Sequence, residues 1–288
     1  MENLSEPDAA LAIPVAIPVP AYLRDHHVSG RVVLPAVEAL QILAATLPPT
    51  AGADPLLQGQ GQFGHLLTVE PGLREIPVIH EWSRDSAGRS YSRLVTVLSG
   101  KQARWTRRIE HGSVVFSSPG TEGDLAPEPL PEGKAKAGEV FTVPRRRLYD
   151  ELVPFGPAYQ NVAGEVLLTP AGASAEISGG GFPEAAGPLG SPFPADAAFH
   201  VACAWGQRYK NTIAFPVAFE ERRIFRPTAA GETYACRVVP LPGEGPVLRF
   251  DIWLYGRDKE PAELFRGLQM RDISGGRRKP PAWIREGT

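Results

Sequence analysis

The sequence predicts an α+β protein of two domains, each a sheet wrapped around one helix. Three observations carry this reading. Runs rich in aromatic and β-branched residues, bounded by turn residues, recur through both halves. Strong helical periodicity occurs once in each half. A stretch rich in proline and glycine separates the halves. The 288 residues suffice for two domains, and 43% hydrophobic with 22% charged residues is globular composition.

Along the chain, Met1 is followed by Glu2, Glu6 and Asp8, where a secretory leader would carry positive charge, so no export signal is expected. Leu11 to Pro20 is apolar but broken by Pro14, Pro18 and Pro20, and is too short to cross a bilayer. The segment from Pro35 to Leu47 places Val37, Leu40, Leu43, Ala44 and Leu47 on one helical face, with Pro35 suited to a first turn. Strands are expected over 62–68, 75–82, 90–98 and 103–116. Ser117 to Gly133 holds no aromatic residue and Thr121 as its one β-branched residue, so burial cannot offset its ordering and it reads as a linker.

In the second half, strands are expected over 164–168, 173–177, 215–225, 233–239, 247–255 and 263–273. A short helix is expected over 144–152. A longer one over 195–209 carries Phe199, Ala202, Cys203 and Gly206 at helical spacing. Gly179 to Pro194 reads as a long loop, and the residues from Gly275, with Arg277, Arg278, Lys279, Pro280 and Pro281, as a loosely held tail. The expected division is 1–117, an N-terminal domain; 118–137, a linker; 138–275, a C-terminal domain; and 276–288, a tail.

The formal net charge of -2 supplies no global field for nucleic acid or an anionic membrane, so neither is expected as a partner. Cys203 and Cys236 are the only cysteines. They make no disulfide framework and no CxxC pair, so a reducing, cytoplasmic setting and no metal site are expected.

Three segments carry chemistry. In Asp25-His26-His27-Val28-Ser29-Gly30-Arg31-Val32-Val33-Leu34-Pro35, a histidine precedes a glycine, and a proline then opens an apolar helix. Glycine lets backbone approach a ligand, the helix N-terminus offers free N–H groups to a carbonyl gaining charge, and histidine is a base near neutral pH. Taken alone, the pattern equally describes a loop histidine beside a turn glycine. In Pro194-Ala-Asp196-Ala-Ala-Phe-His200, Asp196 falls in a first helical turn, with His200 one turn on. Alone, this is more often an acidic residue favoured by the helix dipole, with a half-exposed histidine beside it. The third segment, Leu148 to Gln160, contains Phe155, Gly156, Pro157 and Tyr159.

In this order the segments resemble the dehydratase domains of polyketide synthases. His26, Gly30 and Pro35 match that family's His-x-x-x-Gly-x-x-x-x-Pro motif, and Asp25, Val28 and Leu34 are its usual neighbours. Asp196 and His200 match its Asp-x-x-x-Gln/His motif. Gly156 and Pro157 match its Tyr-Gly-Pro-x-Phe motif, with Phe155 where Tyr is usual and Tyr159 where Phe is usual. Phe215-Pro-Val-Ala-Phe219 is similar to its Leu-Pro strand, and Ser191-Pro192 stands where His-Pro commonly precedes the aspartate. The resemblance runs from about Pro20 to about Ile273.

The resemblance implies a double hotdog, two fused hotdog domains each with an antiparallel sheet around a central helix. It implies dehydration of a β-hydroxyacyl thioester on an acyl carrier protein to the α,β-unsaturated thioester. His26 would be the base, Asp196 the acid, and His200 would orient the acid. Backbone N–H near Gly30 and the helix end after Pro35 would stabilise the thioester oxygen. The site is expected in a narrow, largely apolar channel where the halves meet. No cofactor is implied; the substrate rides on the carrier's phosphopantetheine, and a homodimer is expected. Arg145, Arg146, Arg147, Arg222, Arg223 and Arg226 are candidate docking charges for an acidic carrier. Two other readings remain. One is cyclisation or double-bond migration at the same site, for which Phe155 leaves room. The other is a silent carrier-binding module, against which the presence of both His26 and Asp196 argues.

Overall fold

The computed structural model describes residues 11–99, 106–117, 140–243 and 245–287. The expected linker, 118–137, lies outside the described residues. The first half contains β1 (Leu11–Pro18), β2 (His27–Val28), β3 (Arg31–Val32), α1 (Ala36–Ala45), β4 (Leu57–Phe63), β5 (Glu75–Arg84), β6 (Ser90–Ser99) and β7 (Thr106–Phe116). The second contains β8 (Phe141–Val143), α2 (Arg145–Arg147) running into a wide helical turn (Leu148–Leu152), β9 (Val166–Thr169) and β10 (Gly172–Ser178). There follow α3 (Phe193–Lys210), β11 (Phe215–Ile224), β12 (Thr233–Pro240), β13 (Val247–Tyr255), β14 (Pro261–Arg271) and α4 (Ala282–Glu286).

The two halves do not keep separate sheets. Twelve strands form one sheet in the order β1-β5-β6-β7-β4-β11-β14-β13-β12-β10-β9-β8. Their seam is the antiparallel pairing of β4 with β11, where Gln62 faces Ala218 and Leu57 faces Arg223. β4 lies at 57–63 rather than 62–68, in a segment whose glutamines and glycines hide the strand pattern. Gly61 is required there because a Cβ would fall 2.0 Å from the Phe219 ring, which packs across the seam.

β1 was hidden by its prolines. Val19 donates its N–H inward to Arg74 O, so by alternation the missing donors of Pro14 and Pro18 face the open side of the sheet. An edge strand tolerates proline there, and the edge offers little to another strand.

The core is continuous between the halves. α1 contributes Val37, Leu40 and Leu43, packed with Leu94, Val114 and Phe116. Residues 193–207 of α3 are all buried, and the many alanines among them let the strands close around the helix.

Two expectations need correction. Arg222 is no docking charge: its position on β11 directs it inward, where it is 1% exposed, bonds Glu263 at 2.6 Å and lies near Gln58 of β4. Arg223 is mostly shielded, whereas Arg145, Arg146 and Arg226 are exposed and Arg147 partly so. The end of the chain is no loose tail, because it has apolar and polar anchors. Ile284 is fully buried, Arg208 on α3 donates to Ile284 O, and the Trp283 ring lies under the Arg147 guanidinium and beside Phe141.

Candidate active site

His26 sits where a short 3-10 turn (Ala21–Asp25) passes into the β2–β3 hairpin. Both residues of the hairpin turn have positive φ, Ser29 at 55° and Gly30 at 75°, a turn that favours glycine at its second position. The hairpin folds the chain back so that Val33 N–H bonds His26 O, and His26 Nδ1 lies 2.9 Å from Val33 O. A carbonyl only accepts, so Nδ1 carries the proton and Nε2 holds the free lone pair. The ring is 8% exposed, stacked on Phe155 at 4.4 Å and met edge-on by Tyr159 at 5.0 Å. Burial lowers its pKa below the usual histidine value, while Asp196 and the Val33 carbonyl pull it back up. The neutral ring is therefore the resting form.

Pro35 caps α1 in extended conformation, its carbonyl taking the N–H groups of Glu38 and Ala39. Asp196 occupies the first turn of α3 and is 6% exposed. His200, one turn later, brings Nε2 to 3.1 Å from Asp196 Oδ2, but the two are not aligned as a hydrogen bond, and each atom is buried without a hydrogen-bond partner. The Tyr149 hydroxyl accepts from Val162 N–H and stands 3.4 Å from His200 Nδ1. With the Tyr149 hydroxyl donating a hydrogen bond to Nδ1, the ring proton sits on Nε2 and faces Asp196. Two buried, unpartnered polar atoms in one place mark where a polar group of a ligand fits.

One cavity of about 700 Å³ joins these groups. His26, Gly30, Phe155, Asp196 and His200 line it, drawn from both halves. Its buried walls are largely apolar and include Leu34, Ala39, Phe199, Cys203, Ala214 and Met270, while the exposed Ser29, His65, Arg271 and Arg278 stand at its rim. Pro35, Gly156, Pro157 and Tyr159 are not among the lining residues.

Those residues act at one remove. The Phe155–Tyr159 segment is clamped to Asp25, the neighbour of His26. Gly156 N–H donates to Asp25 O and Ala158 N–H to Asp25 Oδ2, each at 2.8 Å. Gly156 must be glycine because a Cβ there would lie 2.6 Å from the Asp25 carboxyl carbon. Pro157 opens the 3-10 turn that presents Ala158 and Tyr159. Sequence reading missed the Asp25 clamp, and also Gln41, whose side chain bonds Leu189 N–H and Gly190 O and so ties α1 to the loop before α3. A polar Gln41 amid the apolar positions of α1 was the available signal.

Among the described residues no cluster of histidine, cysteine and carboxylate suits a metal ion, and no helix is long and apolar enough to cross a membrane.

A family model described as the polyketide synthase dehydratase N-terminal domain matches residues 129–280, more than half of the chain. The dehydratase domain of a mycocerosic acid synthase-like polyketide synthase superposes with a TM-score of 0.71 at 16% identity, covering 92% of this chain and 95% of its own. A trans-AT polyketide synthase dehydratase domain from Brevibacillus brevis gives 0.70 at 17% identity, over 92% and 94%. A bifunctional dehydratase-cyclase domain in ambruticin biosynthesis gives 0.67 at 19%, over 92% and 94%. No curated protein sequence matches the chain. The shared fold is the double hotdog, of mixed α+β class.

Proposed function

The chain belongs to the polyketide synthase dehydratase family, and on that footing we propose that it removes water from a β-hydroxyacyl thioester. The observation that carries this reading is the pairing, across one largely apolar cavity, of a neutral histidine with a buried aspartic acid whose outer oxygen has no partner.

His26 Nε2 takes the α-proton. The electron pair left on the α-carbon delocalises onto the thioester oxygen and then forms the double bond as the β-hydroxyl departs. Asp196 supplies the proton that turns the leaving hydroxyl into water. Gly30, at the cavity rim, and the start of α1, where Ala36 lines the wall, offer N–H groups to the thioester oxygen. His200, whose Nε2 stands 3.1 Å from Asp196 Oδ2, limits how the carboxyl can turn and aligns with it once substrate is bound. Base, acid and oxyanion donors are all side chains or backbone of this chain, so the reading calls for no cofactor. The substrate is carried on the phosphopantetheine of an acyl carrier protein, whose acidic surface suits the exposed Arg145, Arg146 and Arg226, and the working form is a homodimer. A cyclising or double-bond-shifting reaction is the second reading, favoured by Phe155, which lines the cavity without a hydroxyl.

Mass spectrometry of carrier-bound β-hydroxyacyl chains tests both. Loss of one water is expected. A cyclised or shifted product supports the second reading, and no change with any chain length overturns the proposal. His26→Ala and Asp196→Asn should each lower turnover about 100- to 10,000-fold, whereas His27→Ala, at the rim, should be mild.

A further inference from the structure

Glu38 is a carboxyl behind this site that the elimination leaves unused. It stands in the first turn of α1, on a helix otherwise packed into the core. The Tyr159 hydroxyl donates to Glu38 Oε1 at 2.5 Å, and the Tyr22 hydroxyl faces the same carboxyl. Tyr159 is fully buried; its ring is packed against Tyr22, Phe193 and His26. Neither Glu38 nor Tyr159 lines the cavity. A hydroxyl and a carboxyl therefore lie behind the base, out of reach of substrate. Phe155, which lines the cavity, stacks on the His26 ring and brings no polar group.

We propose that Glu38 is a positioning residue: by accepting the Tyr159 hydroxyl, it locks the Tyr159 ring against His26 and so holds the base in its reactive orientation. The proposal rests on the dehydratase reading. The groups facing Glu38 are Tyr22, Tyr159 and Asp196, with Glu184 near Tyr22. Burial pushes the Glu38 carboxyl up to about 7, against the hydrogen bonds from Tyr159 and Tyr22, which lower it. Both its forms retain an acceptor oxygen, so the lock does not depend on charge. His26 is otherwise held by its Nδ1 bond to Val33 O and by the Phe155 ring stacked on one face. The Tyr159 contact is the further restraint on rotation of the imidazole about its Cβ–Cγ bond.

The test uses Tyr159→Phe, Glu38→Ala and Glu38→Gln in the full chain, with steady-state kinetics on a β-hydroxyacyl pantetheine thioester and ¹⁵N spectra of the His26 ring. Tyr159→Phe keeps the ring and Glu38→Gln keeps an acceptor oxygen, so both suit the fold. Tyr159→Phe and Glu38→Ala should lower kcat about 10- to 100-fold with KM nearly unchanged, and should broaden the His26 ring signals. Glu38→Gln should stay close to the parent in both measures. Loss confined to KM, unchanged His26 signals in Tyr159→Phe and Glu38→Ala, or equal damage from Glu38→Gln and Glu38→Ala each overturns the proposal. If the parent protein turns over no thioester, the dehydratase reading fails, and the ¹⁵N spectra still decide whether Glu38 holds the ring.

Discussion

Gly156→Ala should be costly for a reason confined to one neighbour. The backbone at Gly156 is ordinary, with φ -72° and ψ 172°, so alanine brings no strain of its own. It would even gain about 0.4–1 kcal/mol by restricting the unfolded chain. The new Cβ, however, lies 2.6 Å from Asp25 Cγ and Oδ1 and 2.7 Å from Asp25 Cβ. These are the inner atoms of a short side chain, which can move only by giving up its bond from Ala158 N–H. A hydrogen bond to a charged group contributes about 1.5–3 kcal/mol. The net loss should be about 1.5 kcal/mol, read as the shift in urea midpoint at constant slope. Removing the obstructing side chain with Asp25→Gly should make Gly156→Ala slightly stabilising, a coupling of about 2 kcal/mol between touching residues. If Gly156→Ala loses the same stability in both backgrounds, the close approach is not why glycine stands there.

Three further outcomes follow from the same contacts. His200→Gln should retain most turnover, because its amide can donate to Asp196, and His200→Ala should lose more; equal losses would give His200 a role beyond orientation. His80 is fully buried between Thr46 and Ser92, and burial lowers its pKa to about 4. The unfolded chain takes up this proton first as pH falls below about 6.5, so about 3 kcal/mol of stability should drain away between pH 6.5 and 4. Glu38, raised to about 7, acts in the opposite sense above pH 4.5 but is common to both proteins when His80→Gln is compared with the parent. Urea midpoints of the two that fall in parallel over this range would refute the assignment. Arg222→Met should destabilise by about 3–5 kcal/mol by stranding the Glu263 carboxyl, and Arg222→Met with Glu263→Leu should recover most of that; a double variant no better than the single would contradict it.

The helices and most strands were legible because their patterns are local. Ala36–Ala45 and Phe193–Lys210 lie within two residues of the periodicity that predicts them. β1 and β4 were not, since Pro14, Pro18, Gly59 and Gly61 read as breakers until the edge and the seam give them a purpose. The site divides the same way. His26, Asp196 and His200 are chemically conspicuous at their spacing. Asp25, Glu38 and Gln41 act through partners more than a hundred positions away, as the separations of 133, 121 and 149 show, and no periodicity reports such contacts. The inward turn of Arg222 depends on strand register, which the one-dimensional pattern leaves undefined.

The seam between β4 and β11 also decides how a substrate can reach the reacting groups. Many enzymes with a site between two halves open like a jaw. Here the jaws share a ladder of backbone hydrogen bonds, with a buried arginine and glutamine astride the joint. Parting them would tear a sheet rather than bend a hinge. Access must instead run past the rim, between Ser29, His65, Arg271 and Arg278, with the two halves staying joined.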